Sequence, residues 1–137
     1  MKLSLKVEYA CQVLAQLGYR IQAKELPHID DLAKAEAIPS NYLVQILNEL
    51  RTAGVIISKR GKQGGYALAR SPSEISLYDI MKAVEGEVLA HSSEGKGISS
   101  KNTSRVWGDI AKDFEGLLKA KSVEDCMSSE SEKMWYI

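Results

Sequence analysis

The chain has 137 residues, 45% of them hydrophobic and 26% charged, and its 18 basic and 18 acidic side chains cancel. That length fits one domain of the usual ~100–200 residues, and the composition excludes a globally disordered chain. No apolar run approaches the roughly 20 residues of a membrane span, the N-terminus lacks a secretory pattern, and Cys11 and Cys126 make neither a disulfide framework nor a C-x-x-C pair, so a reducing, cytoplasmic home is the expectation.

The first predicted element is a helix. Tyr9, Ala10, Val13, Leu14 and Leu17 fall on one face, Ser4 reads as the N-cap, and Gly18 reads as the stop. A polar connection to Pro27 leads to a short helix over 29–36. Asp30 and Asp31 in its first turn suit the helix dipole, and His28 stands where it can cap. A tight corner, Ala37-Ile38-Pro39-Ser40, precedes a third helix over 40–53, because proline is tolerated at a helix start. Leu43, Ile46, Leu47 and Leu50 form its core face. Asn41, Gln45, Asn48 and Thr52 lie opposite, with Val44 on the flank, and Gly54 ends the helix. Two helices joined this closely, the second polar on its outer face, make a helix-turn-helix candidate.

Beyond Gly54 the period changes. Val55-Ile56-Ile57 reads as a strand, Arg60 to Gly65 as a glycine-rich turn, and Tyr66 to Ala69 as the returning strand. Residues 76–86 form a fourth helix striped by Leu77, Ile80, Met81 and Val84 and closed by Gly86. Residues 87–101 read as a mobile Gly/Ser-rich loop. A long helix over about 102–120 gathers Val106, Trp107, Ile110, Phe114, Leu117 and Leu118 on one face. Ser122 to Ile137 reads as a polar tail ending in the apolar cluster Met134-Trp135-Tyr136-Ile137, which would dock on the winged domain or on a partner. The fold class is therefore mainly α with a small β-hairpin wing. Residues 1–86 form a winged helix-turn-helix, 87–101 a loop, and 102–137 a long helix and tail.

The charge is unevenly spread. Residues 1–70 carry ten basic and six acidic side chains, residues 71–137 eight and twelve. A basic half points to an anionic partner, although a solvated charged surface gives the same numbers. Duplex DNA suits the pattern. Its major groove admits one α-helix, amides pair with adenine, and apolar groups touch the thymine methyl. Asn41, Gln45, Asn48 and Val44 offer those groups. Lys59, Arg60 and Lys62 would meet phosphates or a minor groove from the hairpin. Gly61, Gly64 and Gly65 permit positive φ and close backbone approach.

The segments LSLKVEYA (3–10), IPSNYLVQILNELRTAG (38–54), KRGKQGGYALAR (59–70) and ISLYDIMKAVEG (75–86), in that order and spacing, resemble the Rrf2 (BadM-like) family of bacterial transcriptional regulators. The resemblance covers nearly the whole chain. It implies a homodimeric repressor or activator on a pseudo-palindromic operator, with the dimer made by the long helix. Carried over residue by residue, it places Ser4 and Lys6 of the first helix at DNA, with Ser40, Asn41, Tyr42 and Gln45 of the third helix and Lys59, Arg60, Gly61 and Gly65 of the wing. Trp107 and Phe114 then belong to the dimer seam.

Three departures stand out. Iron–sulfur members carry three cysteines before the long helix, whereas residues 87–105 here hold none and His91 is the one soft ligand. A cluster takes about four ligands, mostly thiolates, so no cluster, metal or other cofactor is expected. Val44 stands where many members have glutamate, which shifts base preference away from cytosine, whose N4 a carboxylate accepts. Ala37 stands where glycine is common, so the corner either avoids positive φ or tolerates strain. Cys11 reads as a buried structural residue. Cys126, beside Glu124 and Asp125, is expected to be unreactive, because carboxylates disfavour a thiolate. His91 reads as solvated.

No nucleophile–base pair, phosphate loop or paired metal spacing points to an enzyme. A sequence-specific DNA-binding regulator is the leading reading. A protein-interaction module, signalling through a partner, is the alternative, motivated by the acidic second half and its aromatic end. Either leaves room for an effector or partner protein, and neither needs a membrane.

Overall fold

The computed structural model describes residues 2–61, 64–89 and 95–127. Helix α1 runs over Leu5–Gln22. Its cap is Ser4, whose Oγ accepts from the Val7 N–H at 3.2 Å. The helix passes through Gly18 and ends four residues later than the sequence predicts. Gly18 is buried there, and a Cβ on it would sit 2.6 Å from Met127 Sδ. Glycine at this position makes room for a neighbour and does not stop the helix.

Helix α2 (Ile29–Glu36) starts with the His28 N–H donating to Asp31 Oδ2 at 3.0 Å. It ends at Ala37, which is left-handed with φ 55 and ψ 46. Of the two readings of that corner, the strained one holds. Pro39 then caps α3 (Ser40–Thr52). Leu43, Ile46, Leu47 and Leu50 are all at most 1% exposed, and burying such side chains contributes about 1.5–3 kcal/mol each.

Gly54, at φ 77, turns the chain into the hairpin. Strand β1 (Ile56–Lys59) pairs antiparallel with β2 (Gly65–Leu68), Ile56 opposite Leu68 and Lys59 opposite Gly65. The sheet is stitched to the α1–α2 connection by the Tyr66 N–H, which donates to Pro27 O at 2.9 Å. A 3₁₀ turn at Pro72–Glu74 leads to α4 (Leu77–Glu85), which opens on a capping box between Ser76 and Asp79.

Helix α5 (Ser100–Lys119) packs on α4 and buries none of its residues fully. Lys119 Nζ lies 4.7 Å from the Tyr78 ring centroid and 3.0 Å from Glu115 Oε1. The chain then differs from the expected polar tail. Lys121 O accepts from the Leu77 N–H and Ile75 O from the Val123 N–H, each at 2.9 Å. A short helix, α6 (Val123–Cys126), follows and packs on α1. Val123 is 0% exposed, inside the core formed by α1, α3 and α4. One apolar side chain, flanked by Ser122 and Glu124, is too short a pattern to announce a core contact in sequence. No described helix is long and apolar enough to cross a membrane.

Candidate nucleic-acid interface

The inner face of α3 is filled by its leucines and Ile46, so its other face is left to solvent. Ser40, Asn41, Val44, Gln45 and Asn48 are all exposed, and Val44 keeps 46% of its surface. Asn48 Oδ1 accepts from Arg51 at 3.3 Å. Tyr42 is half-buried, its ring edge-on to Tyr9 at 5.6 Å. It belongs to the seam between α1 and α3 as much as to the outer face.

The wing follows α3 directly and packs against it. Lys59, Arg60 and Gly61 are exposed, with Gly61 at φ 101. Lys62 lies outside the described residues. Gly65 departs from the expected role. It is buried, and a Cβ on it would come within 2.3 Å of Leu26 O and 2.6 Å of Pro27 O. Its glycine serves the close approach of the wing to the α1–α2 connection, and it presents no surface to a ligand.

The two candidates on α1 are engaged within the protein. Ser4 Oγ, besides capping α1, donates to Glu85 Oε1 of α4. Lys6 Nζ pairs with Glu49 Oε1 at 2.6 Å. Glu49 was not singled out in the sequence. Its Oε1 also accepts from Gln45 Nε2 at 3.4 Å, while Oε2 is buried with no hydrogen-bond partner among the described residues. This carboxylate ties α1 to α3 and steadies Gln45 from the turn behind it. The i,i+4 spacing of Gln45 and Glu49 was a visible signal; the contact with Lys6, across two helices, was not.

On α5, Val106, Trp107, Ile110 and Leu117 are 50%, 53%, 42% and 68% exposed. Phe114 and Leu118 are half-buried. His91 and the cluster Met134 to Ile137 lie outside the described residues.

The cysteines sit in unlike surroundings. Cys11 lies on α1 and Cys126 on α6, which packs on α1, and both are free thiols. Interaction with Cys11 draws the Cys126 thiol down to about 7, against partial desolvation and the charge of Asp125. Cys11 is pushed far up, first by interaction with Cys126, then by burial, then by the charges of Cys126 and Glu8. The neighbouring carboxylate is thus outweighed by a partner from the far end of the chain.

Comparison with known proteins follows the same lines. Residues 3–129 match the family model described as Rrf2, iron-dependent transcriptional regulator. Rv1287 of Mycobacterium tuberculosis, itself assigned as an HTH-type transcriptional regulator only provisionally, is 34% identical over 130 residues, spanning 91% of this chain and 80% of that protein. The HTH-type transcriptional regulator IscR of Aliivibrio salmonicida is 34% identical over 132 residues, or 93% and 77% of the two chains. The solved structure of CymR, the global cysteine regulator of B. subtilis, has a TM-score of 0.76 at 25% identity and covers 92% of this chain and 95% of that one.

Proposed function

The chain belongs to the Rrf2 family of transcriptional regulators, and from that premise we propose that it is a homodimeric repressor reading a two-fold operator in duplex DNA. The exposed amide face of α3 carries this reading. Asn41, Gln45 and Asn48 offer donors and acceptors that match the adenine edge, and Val44 offers an apolar surface for a thymine methyl. The N-terminus of α3, with Ser40 and Asn41, favours a phosphate through the helix dipole. Lys59, Arg60 and the Gly61 backbone of the wing hold the adjoining phosphates. Lys6 and Ser4 support α3 and α4 from behind, Lys6 through Glu49 and Ser4 through Glu85. Release of Lys6 to a phosphate would leave Glu49 uncompensated. The second half-site needs a second copy, and the uncovered face of α5 offers the surface for it.

The iron in the family's description does not fit this donor set. The chain has two cysteines, too few thiolates for a cluster of about four ligands. Among the described residues no group of three or more His, Cys, Asp or Glu is placed to hold a metal ion. No step of the proposed mechanism runs through iron.

Selection of duplexes from a random pool, followed by binding at several salt concentrations, tests the reading. A repeated two-fold motif is expected. Arg60→Ala should weaken binding to all duplexes and reduce the salt slope by about 0.9, the share of one phosphate. Gln45→Ala should relax preference at particular bases at a cost of about 1–3 kcal/mol on the selected site. Binding of both variants indistinguishable from the parent would reject this contact map. Absence of duplex retention, with one stoichiometric protein recovered instead, would favour an interaction module.

A further inference from the structure

A groove of about 310 Å³ runs between the C-terminal end of α1, the α1–α2 connection and the wing. Leu17, Ile21, Leu26 and Tyr66 give it apolar walls, and Ile21 keeps 47% of its surface. Its rim is basic. Arg20, Lys24 and Lys59 stand around it, and Arg20 is answered by Glu25 at 3.0 Å. Lys24 and Lys59 have no ion-pair partner among the described residues. Backbone bonds fix the shape in advance. The Glu25 N–H donates to Arg20 O at 3.3 Å, and the Tyr66 N–H to Pro27 O at 2.9 Å. Apolar walls beside two unanswered ammonium groups suit a segment that is first acidic and then apolar.

The chain carries such a segment close by. Met127, the last described residue before it, reaches Gly18, which precedes Ile21 by one turn of α1. Beyond it come Glu130 and Glu132, then Lys133, then Met134-Trp135-Tyr136. Trp135 lies eight residues past Met127 and can stand up to roughly 26–29 Å from it. Gly18 and Ile21 are only about 4.5 Å apart along the helix axis, so the groove is well within reach. We propose that residues 130–136 of the same chain seat in this groove, Glu130 and Glu132 against Lys24 and Lys59, and Met134-Trp135-Tyr136 over Ile21 and Tyr66. An occupied groove withholds the Lys59 ammonium from a phosphate. That consequence rests on the DNA reading; the contact itself does not.

The test uses the full chain. Carbodiimide should join Glu130 or Glu132 to Lys24 or Lys59 with loss of water, and mixing isotope-labelled with unlabelled chains should give no mixed product. With Trp107→Phe, Trp135 is the remaining indole, and acrylamide should quench it several-fold less in the folded chain than in urea. Ile21→Asp should restore the quenching and abolish the cross-link. Ile21 lies outside the core, so this variant should keep the parent's circular dichroism. A groove closed in about nine molecules of ten lowers duplex affinity about tenfold, so Trp135→Ala combined with Tyr136→Ala should raise it by that factor. Cross-linking unchanged in Ile21→Asp, a cross-link between chains, or Trp135 quenched as freely as in urea would each overturn the seat. An affinity indifferent to the tail change would overturn its effect on Lys59. Duplex binding absent from parent and variants alike, with cross-link and shielding present, would remove the DNA reading and leave the contact standing.

Discussion

At the residue scale, Ala37 is the clearest case of a local cost kept by the fold. Ala37 sits at φ 55 in the helix-turn-helix corner. An L-residue in that region costs about 1–2 kcal/mol, while glycine adds unfolded-chain entropy worth about 0.4–1 kcal/mol. The first effect is the larger, so Ala37→Gly should raise stability by roughly 0.5–1 kcal/mol in urea unfolding. A loss of stability would mean that the methyl group makes a contact outweighing the strain. Residue identity told much here and residue partners little. Asn41, Gln45 and Asn48 were legible because helical periodicity sets them opposite Leu43, Ile46 and Leu47. Glu49 was not, because its value lies in Lys6, a side chain from another helix.

At the scale of elements, the helices and hairpin follow their sequence signals closely. The failures are at glycines and at the chain's end. Gly18 has the look of a helix stop and lies inside α1. Gly65 has the look of a flexible wing tip and is pressed between two carbonyls. The contrast with Gly61 gives a test. Both have positive φ, but nothing lies within 4 Å of a Cβ at Gly61. Gly61→Ala should therefore cost only the backbone strain, about 1 kcal/mol. Gly65→Ala must also push apart Leu26, Pro27 and the Tyr66–Pro27 hydrogen bond, and should cost about 2–3 kcal/mol. Equal thermal denaturation midpoints for the two variants would show that the wing does not depend on this approach. Helix α6 escaped the sequence because its place is decided by Ile75 and α1, both remote in the chain.

At the scale of the whole molecule, the proposed dimer would rest on the long helix. Four large apolar side chains of α5 are more than 40% exposed, and covering each contributes up to about 1.5–3 kcal/mol. A monomer rarely keeps such a continuous apolar stripe. The stripe fits a second copy in the antiparallel or crossed packing that two-fold symmetry allows. Sedimentation of the parent should show a dimer. Ile110→Glu combined with Leu117→Glu should give a monomer with unchanged helical content, because neither side chain belongs to the core. A monomeric parent, or a dimer that survives both changes, would remove the α5 seam and leave the two-fold operator without its structural basis.

The sequence by itself determined which segments before α6 are helix or strand, which face of each long helix is apolar, and that a polar helix face precedes a basic hairpin. Those properties are local, set by periods of 3.6 and 2 residues and by capping side chains. Only the tertiary structure decided that Lys6 answers Glu49, that Gly65 is buried, that the corner at Ala37 is left-handed, and that α6 returns to α1. Each of these joins or is fixed by segments distant along the chain, and packing sets such contacts where no repeating pattern records them.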